Sequence, residues 1–134
     1  MTSREWRWLT PPVVRILHAR LINSFGGLHG ESGPGEPDAV LFRPQNLAAF
    51  DESIDAYDLA AAYADALVTG RVFTDGNKRI GFTAAMVFLR LNGIQLPIKE
   101  QAVAQAVEQA VATERTLALA VGVITRADFA AWLR

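Results

Sequence analysis

The stretch that decides the fold runs from residue 71 to residue 91 and reads RVFTDGNKRIGFTAAMVFLRL. From Ile80 onwards its apolar side chains point in nearly every direction around a helix, rather than along one face. A helix that is apolar all round is a buried helix. Asn92 and Gly93 then supply a typical helix stop. The pattern predicts that residues 76–91 form the central helix of the fold.

Helical signals extend outward from this stretch over most of the chain. Thr10 and Pro11 predict the start of a first helix, and the glycines at 26–27 predict its end. Ser53 is the predicted N-cap of a helix over residues 53–68. Since no alternating strand pattern occurs, the predicted fold class is all-α. Further helices are predicted at residues 101–112, Glu114–Val121 and Thr125–Trp132.

The connection between the first two helices is long and rich in glycine and proline. Residues 26–38 read GGLHGESGPGEPD, and ordered loops of this length are uncommon unless they are functional or mobile. Residues 40–43 are predicted to form a short extended piece that stops at Pro44. A piece this short cannot support a sheet, so a flap or an edge hairpin is expected.

Length and composition limit the possible function classes. The 134 residues, 51% of them hydrophobic, suit a single domain spanning 1–134. The formal net charge of −1 argues against a protein that binds nucleic acid or membrane through its overall field. The chain has no cysteine, which excludes thiolate catalysis and cysteine-based zinc sites. Without an apolar leader or a membrane-length apolar run, we expect a soluble, cytoplasmic protein.

Residues 71–79, RVFTDGNKR, carry the chemical signal at the start of the predicted central helix. Gly76 allows a ligand to approach the backbone, and the first N–H groups of a helix attract phosphate. Lys78 and Arg79 place two positive charges in a first turn that normally favours acidic residues. This arrangement indicates a polyphosphate site, with Asp75 holding a divalent cation against the phosphates.

These residues have two alternative interpretations. The first is a capped helix start whose basic side chains simply point into solvent. The second is a P-loop, which the spacing excludes because five residues rather than four separate Gly70 from Gly76. In addition, Asn77 precedes Lys78, and Arg79 stands where a P-loop needs Ser or Thr.

The stretch resembles the signature of Fic/Doc proteins, in particular the Doc (death-on-curing) toxin branch, with the pattern His-x-Phe-x-Asp-Gly/Ala-Asn-Lys-Arg. Phe73 and residues 75–79 match that pattern at the right spacing. The resemblance extends to the early helix with His18, to the region around Leu41 and to residues 88–93. It implies a compact bundle of about six helices with a short flap segment, and the use of ATP and Mg²⁺.

The resemblance also implies a role for each matching residue. Asp75 would help hold the metal, and Gly76, Asn77 and Lys78 would form a nest for phosphate. Arg79 would contact phosphate oxygens. The implied catalytic positions are Arg71, Asp75, Lys78 and Arg79.

The identity of residue 78 bears on the reaction that the resemblance implies. Relatives that transfer AMP carry glycine there, whereas lysine is typical of the Doc branch. That branch phosphorylates a threonine of elongation factor Tu, arrests translation and is neutralised by a Phd-type antitoxin. The resemblance places Leu41 and Arg43 on the flap, where they are weak candidates for target contact. An internal inhibitory segment is absent from the sequence, which favours control by a separate antitoxin chain.

One position departs from the family pattern. The catalytic histidine of the pattern falls at Arg71, whose guanidinium stays protonated and cannot act as a general base. Loss of a positioned base costs about 10²–10⁴-fold in rate, so we expect this chain to be inactive or nearly so. His18 is expected to be buried and hydrogen-bonded, and His29 solvated, so neither is nominated as the base.

Several alternatives stay open at this point. Arg71 is either natural, in a pseudoenzyme, or a substitution that makes a lethal chain tolerable to produce; we favour the second explanation. The reaction could be AMP transfer instead of phosphate transfer. A third possibility is a non-catalytic module that keeps the fold in order to bind its antitoxin.

Overall fold

Helices make up the fold in the computed structural model, which describes residues 5–32, 36–94, 118–119 and 122–134. Within these ranges no strand forms, and an isolated bridge joins Glu31 to Phe73. The all-α prediction is therefore confirmed, whereas the helix predicted at residues 101–112 and most of the next one lie outside the described residues. The helices are α1 (Pro11–Phe25), α2 (Glu36–Leu41), α3 (Arg43–Phe50), α4 (Ala56–Thr69), α5 (Asn77–Leu91) and α6 (Arg126–Leu133).

Among the helices that the structure describes, α4 and not α5 is the most enclosed, so the prediction that residues 76–91 form the central helix is wrong. Helices α2, α3, α5 and α6 all pack against α4, and its alanines let these neighbours approach closely. On α5, Phe82, Met86 and Val87 are only partly buried. An alanine-rich face looks weakly apolar in a sequence, but small side chains are easily covered from all sides. The buried residues of α4 are Ala56, Leu59, Ala60, Ala61, Ala62, Tyr63, Ala64, Ala66, Leu67 and Val68.

A glycine sets the close contact between α4 and α5. A Cβ atom on Gly81 would lie 2.6 Å from Cγ2 of Val68 and 3.3 Å from the carbonyl oxygen of Ala64. The first contact is too short for a side chain without a shift of Val68, and the second is tight against helix backbone. Gly81 therefore lets the two helices pack together directly behind the loop that joins them.

The segment before α1 is held to this pair of helices by aromatic residues. The Tyr63 hydroxyl accepts a hydrogen bond from the Leu9 N–H (2.9 Å) and donates one to the Leu9 carbonyl (3.2 Å). Burial raises the pKa of Tyr63 to about 12. The rings of Trp6 and Trp8 lie 6.1 and 5.8 Å from that of Phe88 on α5. The amino-terminal segment is thus part of the core.

The structure corrects the prediction for residues 40–43. This segment is not extended, because α2 ends at Leu41 and α3 begins at Arg43. Pro44 lies in the first turn of α3, where a proline starts a helix instead of ending a strand. Leu41 is 1% exposed and belongs to the core, so in this structure its side chain is not presented at the surface as that of a flap residue would be.

The start of α4 also differs from the prediction. Asp55, not Ser53, is the N-cap of α4, and it forms a reciprocal capping box with Asp58. The Ser53 hydroxyl and amide instead donate to the Asp51 carboxylate. Arg134 pairs with both capping carboxylates, at 2.9 and 3.0 Å. Among the residues described, no helix has the length and hydropathy needed to span a bilayer.

Candidate functional site

The loop between α4 and α5 contains two residues in the left-handed region of backbone space. Arg71 has φ +47°, and Gly76, the N-cap of α5, has φ +76°. Left-handed backbone is uncommon for residues other than glycine, and histidine, asparagine and aspartate tolerate it better than most. A Cβ atom on Gly76 would also lie 3.2 Å from Cδ1 of Ile22 on α1. Gly76 therefore permits both the turn into α5 and its close approach to α1.

The side chain of Asn77 is hydrogen-bonded to the backbone of this loop. Its Oδ1 accepts a hydrogen bond from the Phe73 N–H at 2.9 Å, and its Nδ2 donates to the Phe73 carbonyl at 2.8 Å. The amide side chain is therefore engaged with the loop backbone. Asn77 is predicted to help bind an anion. In this geometry its backbone N–H group is available for that role, whereas its side chain is already hydrogen-bonded.

His18 on α1 lies beneath the same loop. It is 3% exposed, and its ring stacks on that of Phe73 with 3.7 Å between centroids and 6° between planes. Nε2 of His18 lies 2.7 Å from the Asp75 carbonyl oxygen. The expectation of a buried, hydrogen-bonded histidine is confirmed. His29 is exposed and hydrogen-bonded to Asn23.

The glycine-rich loop after α1 runs antiparallel to residues 71–75. The Ser32 N–H donates to the Val72 carbonyl, and the Thr74 N–H donates to the Gly30 carbonyl, both at 3.0 Å. Two backbone hydrogen bonds therefore seat this loop against the motif. The sequence indicated an unusual loop, but not which segment it would pair with.

Ser32 is a residue of the site that sequence reasoning missed. Its hydroxyl lies within hydrogen-bonding distance of the carbonyl oxygens of both Arg71 and Phe73. It therefore supports the left-handed turn at Arg71. Glu31, its neighbour, forms an ion pair with Arg15 on α1. No motif marks Ser32, because its contacts depend on a pairing between segments distant in sequence.

The Asp75 carboxylate is exposed but oriented by backbone groups. Oδ2 accepts from the Leu28 N–H at 3.0 Å, and Oδ1 accepts from the Gly76 N–H at 2.9 Å. These hydrogen bonds, that of Leu28 first, lower the pKa of Asp75 below its ordinary value. A Cβ atom on Gly27 would come within 2.7 Å of Oδ2. The carboxylate is thus ionised at neutral pH and held in place.

A cleft of about 690 Å³ opens over this arrangement. The start of α5 lies in its wall, and the first backbone bond of that helix runs from the Ile80 N–H to the Gly76 carbonyl. The N–H groups of residues 77–79 precede it and have no partner one turn back. Exposed Lys78 also lines the cleft. The lining residues are Glu31, Ser32, Val68, Arg71, Phe73, Thr74, Asp75, Gly76, Asn77 and Lys78.

The donor set fits a magnesium ion carried by phosphates better than a metal held by protein alone. The described residues contain no group of three or more His, Cys, Asp or Glu that could hold a metal ion. Mg²⁺ commonly binds through one or two carboxylates together with substrate phosphates and water. Asp75, ionised and exposed at the cleft, supplies one such carboxylate.

The remaining predicted site residues lie in different places. Arg71 lines the cleft and is exposed. The Arg79 guanidinium lies 4.4 Å from the ring centroid of Phe25, at the end of α1. Arg43 is exposed on α3, and the cleft lining does not include it or Leu41. The predicted site residues that the structure brings together at the cleft are Arg71, Asp75, Gly76, Asn77 and Lys78.

Comparison with known proteins agrees with this geometry. The model of the Fic/DOC family matches residues 8–89, which run from before α1 almost to the end of α5. Over 90 residues the chain is 38% identical to "Protein kinase doc" of Escherichia phage P1, covering 67% of this chain and 71% of that protein. Over 77 residues it is 40% identical to "Toxin Doc" of Mycolicibacterium smegmatis, covering 54% of this chain and 57% of that protein. The match includes the whole motif loop and the helices that hold it, and the chain belongs to the Fic/Doc family, on its Doc branch.

Proposed function

We propose that this chain is the toxin of a toxin–antitoxin module and that its cleft binds Mg·ATP for phosphate transfer to a protein hydroxyl. The observation that carries the proposal is the meeting of Asp75, Lys78 and the open N-terminus of α5 in one cleft. The names of the two relatives, a protein kinase and a toxin, support the reaction and the biological role. By the same resemblance, the target is a threonine of elongation factor Tu in the cytoplasm, and the inhibitor is a Phd-type antitoxin.

The chemistry of each group suits a triphosphate. The free N–H groups of the first turn of α5 and the helix dipole favour phosphate oxygens. Lys78 adds an ammonium group without an ion-pair partner among the described residues. Asp75 would hold Mg²⁺, which, when bound, offsets the negative charge of the phosphates. Arg79 lies over the ring of Phe25 and is not among the cleft-lining residues, so its contact with phosphate oxygens is proposed from the resemblance alone.

Arg71 explains why this form is expected to be impaired. It stands where the resembling pattern has a catalytic histidine, and its guanidinium has no lone pair with which to accept the proton of a target hydroxyl. Its left-handed backbone is a conformation that histidine adopts more readily. An added cation in the cleft is compatible with phosphate binding, so we expect nucleotide binding to survive where catalysis does not.

The test is expression of the Arg71→His variant with and without a Phd-type antitoxin. We expect growth arrest without antitoxin, and a phosphoryl group on elongation factor Tu by mass spectrometry. The rate of transfer should exceed that of the parent by about 10²–10⁴-fold. Arg43→His adds a histidine at an exposed arginine outside the cleft and should stay inactive.

Different results would separate the alternatives. An AMP adduct on the target would overturn phosphate transfer in favour of an AMP transferase. A harmless Arg71→His variant that binds antitoxin tightly and leaves elongation factor Tu unmodified would favour a non-catalytic module. The presence of Arg71 favours the non-catalytic module as the second candidate function, because a chain kept only for binding has no need of a general base.

A further inference from the structure

We infer that His18 is a positioning residue for the phosphate site: it fixes the peptide between Asp75 and Gly76 and so aims the Asp75 carboxylate. This inference rests on the proposed binding of Mg·ATP. His18 lies on α1, 57 positions before Asp75 in sequence and outside the motif. The motif residues alone do not assign it any part in the site.

The first observation is the burial of His18. Its side chain is 3% exposed, and it lies between α1 and the loop before α5. Burying a polar group without a hydrogen bond is costly, and here the partner is the Asp75 carbonyl at 2.7 Å. A carbonyl oxygen only accepts, so Nε2 of His18 is the donor in this hydrogen bond.

The second observation is that the imidazole holds the loop at two places. Besides the bond to Asp75, its ring stacks on Phe73 at 3.7 Å between centroids. Gly76 lies close to the same nitrogen, since a Cβ atom there would be 3.6 Å from Nε2. His18 therefore contacts the loop before α5 at Phe73, at Asp75 and close to Gly76.

The consequence for the site follows from peptide geometry. The Asp75 carbonyl and the Gly76 N–H belong to one planar trans peptide and point in opposite directions. When His18 holds the carbonyl on the inner side, the N–H faces outward and donates to Oδ1 of Asp75 at 2.9 Å. His18 thus orients the carboxylate through the peptide plane. It does not reach the reacting groups, because its Nε2 is engaged beneath the loop.

The test compares two substitutions that differ in the donor. His18→Phe keeps a ring to stack on Phe73 but removes the N–H, whereas His18→Gln keeps an N–H group near the position of Nε2. Isothermal titration with Mg·ATP should show affinity weakened by about 10–100-fold in His18→Phe, the usual cost of losing a group that orients a metal ligand. His18→Gln should restore most of that affinity. His29→Phe, an exposed histidine at the neighbouring loop, should leave it unchanged.

Thermal unfolding and imidazole ¹⁵N NMR accompany the titrations. A folded His18→Phe variant with the parent's affinity would overturn the inference and leave the proposed function standing. Equal weakening in His18→Phe and His18→Gln would also overturn it, because the donor would not be the cause. A parent chain that does not bind Mg·ATP would remove both proposals. If His18→Phe fails to fold, the parent's NMR spectrum decides: the Nε2–H tautomer supports the inference, and the Nδ1–H tautomer overturns it.

Discussion

Two groups of residues in the segment 71–79 differ in how their polar groups are satisfied. Phe73 and Asn77 form an inward-facing pair, and Arg71, Asp75 and Lys78 form an outward-facing set. Phe73 is buried, and its backbone N–H and carbonyl are both bonded to the Asn77 side chain. Arg71, Asp75 and Lys78 are exposed at the cleft. The inward pair satisfies itself within the protein, while the outward set presents its charges to whatever enters the cleft.

This difference separates the residues that fix the conformation of the loop from those that are available to bind a ligand. The inward pair gives the loop its conformation by burial and hydrogen bonds, which stabilise the native state. Lys78 in the outward set is unfavourable by the same measure, because a cation in the first turn opposes the helix dipole. Substitutions in the two groups should therefore change stability and ligand affinity in different proportions.

The largest expected effect comes from Phe73→Ala. Removing a buried aromatic ring leaves a cavity and should lower the free energy of unfolding by about 3–5 kcal/mol. Urea denaturation followed by circular dichroism measures it. Phe25→Ala is the matched control, since this ring is 62% exposed and should cost less than about 1 kcal/mol, including its contact with Arg79. Similar losses in the two variants would contradict the assignment of Phe73 to the inward pair.

Asn77→Ala should have the intermediate effect. It leaves the N–H and carbonyl of Phe73 without their partner and should lower the free energy of unfolding by about 1–3 kcal/mol. Asn46→Ala, at an exposed position of α3, should stay within about 0.5 kcal/mol of the parent. If Asn77→Ala kept full stability but lost affinity for Mg·ATP, its side chain would be a ligand group and not part of the inward pair.

The smallest expected effect, and one of opposite sign, comes from Lys78→Gln. Removing a cation from the first turn of α5 should raise the free energy of unfolding by about 0.3–1 kcal/mol at low ionic strength. Arg90→Gln, in the last turn of the same helix, should lower it by a similar amount. Both changes should shrink as salt is added. Titration with Mg·ATP should show weaker binding for Lys78→Gln alone, and a destabilised Lys78→Gln would contradict its outward role.

Several features of the fold and site followed from local signals. The bounds of α1 follow from the Thr10–Pro11 start and the glycine stop, and the end of α5 follows from Asn92. The prediction of the central helix was wrong. The large apolar side chains all around α5 gave a stronger hydrophobic signal in the sequence than the small alanines of α4. The prediction of an extended piece at residues 40–43 was also wrong. A short apolar run before a proline is compatible with the end of a strand or with the start of a helix.

The sequence by itself determined the all-α class, the motif at residues 71–79 and the branch of the family, because spacing along a chain is a local property. Tertiary structure alone decided that Ser32 supports the turn at Arg71 and that His18 lies under Asp75. These contacts join segments far apart in sequence, and each depends on how α1 and its following loop pack against the start of α5. Neither serine nor histidine carries a local signal of such a partner.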